Sequence, residues 1–169
     1  MRKLSFIVPV AVVLIALFMS TVFIVDERNK ALVLQFGRVV AVKEDPGLAF
    51  KIPFIQEVVF YDDRILSRDV DPLEVTPLDD RRLVVDAFTR YRITDVNQFR
   101  EAVGTGGVQV AESRLDSILK SEMREVLGSV SSNDILSSDR AVLMSRIRNA
   151  AIEKALPLGI EVVDVRLKR

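Results

Sequence analysis

The two residue types that carry the most versatile side-chain chemistry are missing. The 169-residue chain has no cysteine and no histidine. Their absence excludes disulfides, thiolate nucleophiles, zinc sites of the usual ligand set and every histidine-based catalytic relay. A chain without disulfides is compatible with either side of a membrane, so the cysteine count assigns no compartment. Net charge is missing too, because 24 Lys and Arg balance 24 Asp and Glu. Nothing in the overall charge draws the chain toward nucleic acid or acidic lipid.

Charge is also absent from one long stretch. Residues 4–25, LSFIVPVAVVLIALFMSTVFIV, lie between Arg2-Lys3 and Asp26-Glu27-Arg28. As a helix such a run rises about 33 Å, enough for a hydrocarbon core of ~30 Å. A secretory signal has a shorter apolar region, about 7–15 residues, closed by a small-x-small cleavage site. Phe18-Met19-Ser20-Thr21-Val22-Phe23 offers no such end. A helix apolar all round is hard to bury in a body this small, and Pro9 is tolerated within a membrane helix. The expectation is a lead at 1–3 and an uncleaved, single-pass transmembrane helix over 4–25. Arg2 and Lys3 predict a cytoplasmic N-terminus with the body on the other side. The margin is small, since Arg28, Lys30 and Arg38 stand on the far flank.

About 140 residues remain, the size of one domain or two small ones. Strand patterns come first. Leu32, Leu34 and Phe36 alternate with Val33, Gln35 and Gly37, as on the two faces of a strand. Gly37-Arg38 reads as a turn before a strand at 39–42, and Pro46-Gly47 as a turn with Pro fixing the first central φ. Leu48, Phe50 and Ile52 alternate with Ala49 and Lys51 until Pro53 interrupts pairing. Val58, Phe60 and Tyr61 continue into a further strand. Residues 67–80, polar and carrying Pro72 and Pro77, are expected to hold short extended pieces. A long strand over 81–93 then puts Leu83, Val85, Ala87, Thr89, Tyr91 and Ile93 on one face.

Helical spacing follows. Asp95 is placed to cap a helix over 96–103, which Gly104-Thr105-Gly106-Gly107 ends. Over 108–127, Ala111, Leu115, Ile118, Leu119, Met123, Val126 and Leu127 recur at helical intervals, with Gly128 as the stop. Ser138 is expected to cap a helix over 139–156 that buries Leu143, Ile147, Ala150 and Ala151. Pro157 and Gly159 break it, and 160–167 form a last strand. The predicted fold class is α+β, with a strand-rich part at 26–80 and a mixed part at 81–169.

Few residues suggest chemistry. The 104–107 glycine loop lacks the preceding strand and the Gly-Lys-Ser/Thr of a phosphate loop. Asp62-Asp63 and Asp79-Asp80 precede arginines, and neighbours in a strand point apart, so they read as solvated turns and salt links. Ser121 beside Lys120 is no hydrolase pair, because adjacent helical positions do not face each other. The chain is read as a non-enzyme with no catalytic residue, no cofactor and no metal ligand. Arg114, Lys120, Glu122, Arg124 and Glu125 mark the polar face of the long helix. One segment stays open between two readings. Phe50, Pro53, Phe54 and Ile55 either belong to a core strand pair or dip into the outer leaflet near the anchor.

Taken in order, these pieces resemble the stomatin/prohibitin/flotillin/HflK-HflC family, also called SPFH or band 7. The likeness rests on the N-terminal run, Gln35-Phe36-Gly37-Arg38-Val39, Pro46-Gly47-Leu48 with Phe50-Lys51-Ile52-Pro53-Phe54, and Asp62-Asp63-Arg64. It continues through the 86–93 strand to Leu158-Gly159-Ile160-Glu161-Val162-Val163-Asp164-Val165-Arg166. Within the family, the short lead and the Thr105-Gly106-Gly107 loop look most like the HflC branch. The resemblance implies a scaffold subunit in a bacterial inner membrane. Its implied partners are the lipid bilayer, an HflK-like subunit in a hetero-oligomer, and the membrane protease FtsH, whose access to substrates it modulates; no nucleic acid is implied. A stomatin-like organiser of lipid domains and a membrane-associated peptidase are the alternatives. Family members continue past the last strand into a long charged coiled-coil helix. This sequence stops at Lys168-Arg169, and is expected to be cut short after the SPFH domain.

Overall fold

The computed structural model describes residues 12, 15, 18–136 and 140–168. The chain divides into two units, one running to Asp63 and the other starting at Arg64.

In the first unit, a continuous apolar run makes the central strand. Strand β2 (Asn29–Gln35) lies between β3 (Arg38–Lys43) and β5 (Gln56–Asp62), antiparallel to both. Ala31, Leu32, Val33 and Leu34 are all buried, as befits an unbroken apolar run inside a sheet. The β2–β3 turn is Phe36-Gly37, not Gly37-Arg38, since Arg38 already pairs with Gln35. Both turn residues have positive φ, 50° and 79°, the pattern of a two-residue type I′ hairpin.

A second ribbon joins β1 (Val22–Val25) to β4 (Gly47–Phe50), with Ile24 opposite Leu48 and Phe23 opposite Ala49. Val25, Ala31 and Ala49 form a small core beneath Phe23 and Val58, and Phe23 meets Phe60 edge to face at 6.3 Å. Strand β1 corrects the end of the expected transmembrane helix over 4–25. Val22, Phe23, Ile24 and Val25 are β-branched or aromatic, and a strand partner is available to them in β4. Residues 18–21 are helical, and most of the run lies outside the described residues. No helix among the described residues is long and apolar enough to cross a membrane.

Among the described residues, the second unit is a three-stranded antiparallel sheet, ordered β6–β7–β8, with four α-helices. Strand β6 (Leu66–Val75) replaces the short pieces expected at 67–80. It pairs with β7 (Leu83–Ile93) across an irregularity between Val70 and Leu73. That break holds Pro72, which has no N–H for a regular ladder. The division therefore falls at 63/64 rather than 80/81, because β6 belongs with β7. Along β7, Val85, Ala87, Thr89, Tyr91 and Ile93 are buried, as the alternation predicts. Strand β8 (Ile160–Leu167) is the other edge.

Helix α1 (Val96–Val103) is capped by Asp95, whose carboxylate accepts the N–H groups of Asn97 and Gln98 at 2.9 Å each. Helix α2 (Gly107–Gly128) buries Ala111, Leu115, Leu119, Met123 and Leu127. A short α3 (Ser132–Leu136), absent from the sequence reading, is closed by Ser131 and Asp134, whose side chains bond at 2.8 Å. Helix α4 (Arg140–Ala155) buries Leu143, Ile147, Ala151 and Ala155, with Ala150 only half-buried. Its expected cap, Ser138, lies outside the described residues. Helix α2 packs on α4 and β6, and α4 packs on β8.

Gly159 closes the second unit. Its φ is 69°, and an added Cβ would stand 2.4 Å from the Asp95 carbonyl oxygen and 2.7 Å from the Phe99 nitrogen. Only glycine fits there, and its own carbonyl accepts the N–H of Thr94 at 3.1 Å.

Candidate functional site

Apolar side chains crowd the outside of the first unit. Pleating turns Ala49 inward and Leu48 and Phe50 outward, and Ile24 across the ribbon is exposed as well. Beyond β4 the chain turns through Pro53 and Phe54. Gln56 fixes this turn: its side-chain oxygen accepts the Ile52 N–H at 2.8 Å, and its own N–H donates to the Ile52 carbonyl at 3.0 Å. Phe54 sits at φ 66° and is 92% exposed. Phe36, at φ 50° on its hairpin, is 84% exposed. An open cleft of about 420 Å³ is lined by both rings with Leu34, Ile55 and Val58, and also by the polar Lys51, Gln56 and Glu57.

Of the four residues singled out as membrane-contact candidates, Phe50, Phe54 and Ile55 are exposed and Pro53 is half-buried. Phe54 and Ile55 line the cleft, while Phe50 stands on the ribbon. Phe36, Ile24 and Leu48 complete this apolar surface and were missed. The overlooked signal is Phe36-Gly37 itself. The first position of a type I′ turn ordinarily takes Asn or Asp, so a phenylalanine there is out of keeping with the turn.

Several charges of the second unit are held in pairs. Arg68 on β6 donates to Glu112 at 3.3 Å and to Asp116 at 3.2 Å on α2, and the Tyr91 hydroxyl donates to Glu112 at 2.8 Å. Hydrogen bonding to Asp116 holds the Arg68 guanidinium above its ordinary pKa. Burial, and then the bond to the Glu112 carboxylate, push the Tyr91 phenol up. Lys120 pairs with Asp71 at 3.0 Å and draws that carboxyl down. Glu122 corrects the polar-face assignment: it is 3% exposed and bonded to Lys154, whose pKa it raises. Arg114, itself exposed, donates to the Ala102 carbonyl at 2.7 Å, and Arg124 and Glu125 are exposed as well.

The aspartate pairs are turns and links. Asp63 meets Lys30 at 3.1 Å. Asp79 accepts the N–H of Ser132 at 3.1 Å as well as its hydroxyl, which lowers the Asp79 pKa. Lys120, the neighbour of Ser121, is committed to Asp71. Among the described residues no group of acidic side chains is arranged to hold a metal ion.

A strand-rich unit followed by a unit of helices on a three-stranded sheet is the plan of an SPFH domain. The SPFH domain / Band 7 family matches residues 23–169, starting inside β1, and the chain belongs to that family. Among curated relatives, Protein HflC of Haemophilus influenzae is 30% identical over 173 residues, covering 97% of this chain and 59% of the relative. Modulator of FtsH protease HflC of Escherichia coli K12 is 33% identical over 156 residues, covering 89% of this chain and 46% of the relative. Protein HflC of Buchnera aphidicola from Acyrthosiphon pisum is 32% identical over 177 residues, covering 93% and 57%. The chain spans about half the length of these relatives.

Proposed function

We propose that this chain is an HflC-like, membrane-anchored scaffold subunit that acts with an HflK-like subunit to modulate an FtsH-like protease. The observation that carries the reading is its likeness, over most of its length, to a protein named as a modulator of FtsH protease. Co-purification in mild detergent tests it. The chain, co-expressed with its own organism's FtsH and HflK, is expected to retain both, and recovery of intact chain with neither overturns the reading. A stomatin-like lipid organiser would need neither partner.

The membrane arrangement belongs to the same proposal. The chain sits in a bacterial inner membrane, N-terminus inside and body outside. With β1 starting at Val22, an anchor helix over 4–21 would rise about 27 Å, slightly less than a ~30 Å hydrocarbon core. The ribbon then stands at headgroup level, where the exposed Phe50, Phe54 and Ile55, with Phe36, dip into the outer leaflet and Pro53 holds the turn. A chain starting at residue 22 is expected to float with phosphatidylcholine vesicles. Phe54→Asp with Ile55→Asp should abolish that flotation, and unchanged flotation would discard the contact. A reporter enzyme active only outside the cytoplasm, fused after Arg169, is expected to be active; an inactive fusion would reverse the topology.

A further inference from the structure

Among the described residues, strand β8 pairs with β7 alone and leaves its other edge open. The ladder's parity identifies what that edge presents. Lys168 N–H donates to the Asp86 carbonyl at 2.6 Å, so Lys168 and Arg166 bond inward. Val165 and Leu167 between them turn their N–H and C=O groups away from the sheet. One of these groups is occupied, since Arg140 donates to the Leu167 carbonyl at 2.6 Å. The outward N–H and C=O of Val165 meet no other segment among the described residues. Beside this edge lies an open groove of about 500 Å³, whose far wall is the α4 stripe Ala141, Met144, Ser145 and Arg148, residues spaced to share one helical face.

The groove is basic. Arg140, Arg148 and Arg166 line it, against one acid, Asp164, which Arg166 holds at 2.7 Å. The Nε of Arg148 is buried without a hydrogen-bond partner. A native edge strand is normally blunted or covered, and Arg140 covers one carbonyl only. A second copy of the chain is a poor occupant. Its own free edge, β6, carries Asp69 and Asp71, which are already paired with Lys168 and Lys120.

We propose that the β8 edge docks an extended acidic segment of a partner polypeptide, which adds as a fourth strand, its carboxylates on the α4 face meeting Arg148 and those on the opposite face meeting Arg166. Backbone pairing would supply affinity, and acidic side chains would supply selection. The inference does not rest on the FtsH reading, and its test involves no protease. The full chain in phosphatidylcholine nanodiscs is titrated into a fluorescein-labelled peptide that repeats Val-Val-Glu-Glu, which carries glutamate on both faces when extended, and anisotropy is followed. Saturable binding that weakens with added salt is expected. N-methylation of alternate peptide nitrogens, or lysine in place of glutamate, should weaken it about tenfold or more.

Arg148→Glu should do the same. Arg166→Glu, at an exposed position, keeps the test valid if the first variant fails to fold, and Arg124→Glu on α2 should change nothing. Absent binding, binding indifferent to N-methylation, or binding unaltered in both groove variants overturns the proposal. So does self-association of the chain that Arg166→Glu removes while the peptide fails to bind.

Discussion

In the second unit, Phe99, Leu115, Leu119, Met123, Leu127 and Ile147 are sealed from solvent, whereas in the first unit Ile24, Phe36, Leu48, Phe50 and Phe54 are each more than half exposed. Burying one such side chain contributes about 1.5–3 kcal/mol. The second unit collects most of that contribution within itself, through α2 and α4 packed on one another and on β6 and β8, and its more than half-exposed apolar residues, such as Leu78, Val84 and Leu156, are aliphatic. The first unit leaves much of its apolar supply outside, with Val25, Ala31 and Ala49 making only a small core under its ribbon. One unit is built as a protein interior. The other presents a surface suited to an apolar phase or partner.

The largest effects should separate the two units directly. Phe99→Ala removes a fully buried ring and is expected to cost about 3–5 kcal/mol in chemical denaturation followed by circular dichroism. Phe54→Ala, the same chemical change on an exposed turn, should stay within about 0.5 kcal/mol. Comparable losses at the two positions would break the contrast.

Next comes Gly159→Ala. A left-handed φ and a Cβ forced against the Asp95 carbonyl and Phe99 nitrogen together predict a loss of about 2–5 kcal/mol. Gly37→Ala makes the comparison clean. Gly37, in its type I′ turn, also has positive φ, but nothing lies within 4 Å of its added Cβ, so the cost should fall to about 1–2 kcal/mol. Equal losses would mean that backbone conformation alone, and not the close approach to α1, requires Gly159.

The same division governs how much was legible in the sequence. The β7 alternation, the Asp95 cap and the α2 stripe were all readable, because a period of two, a period of 3.6 and a capping residue are local signals. Ser67 to Val75 was not: its pairing with β7 is a long-range event, and Pro72 disguises it as loop until the irregularity beside it is seen. Glu122 reads as a surface residue because burial of a charge depends on a partner, here Lys154, 32 positions away. Val22 to Val25 carried two meanings at once, since the residues that favour a membrane helix also favour a strand. The candidate contact surface was half legible. Phe50, Phe54 and Ile55 stood out as aromatic and aliphatic residues near Pro53, but Phe36 joins them only through the fold of two separate turns.

A smaller effect lies in pH, again within the second unit. Tyr91 titrates above its ordinary value when folded. Its contribution is therefore complete below the unfolded value of about 10 and is lost as pH rises beyond it. Asp71 and Asp79 are held below their ordinary values. Their contributions are present above the unfolded value of about 3.9 and disappear as pH falls further. Melting temperature against pH should therefore fall at both ends. Tyr91→Phe should flatten the alkaline limb only, and Asp79→Asn the acid limb only; an unchanged alkaline limb in Tyr91→Phe would remove Tyr91 as its cause.

The smallest shift is the most informative about the first unit. Phe36 occupies the leading position of a Phe36-Gly37 hairpin at φ 50°, a conformation that disfavours an aromatic side chain and suits asparagine. Its ring is almost wholly in solvent, so its removal takes little packing away from the fold. Phe36→Asn is therefore expected to leave the chain as stable as before or more stable, by up to about 1 kcal/mol. The same variant should float less well with phosphatidylcholine vesicles than the unaltered chain starting at residue 22. Gain in one measurement with loss in the other is the signature of a residue kept for contact at the expense of the turn that carries it. A variant that loses stability would instead make Phe36 part of the first unit's own packing, and the contrast with the second unit would narrow by one residue.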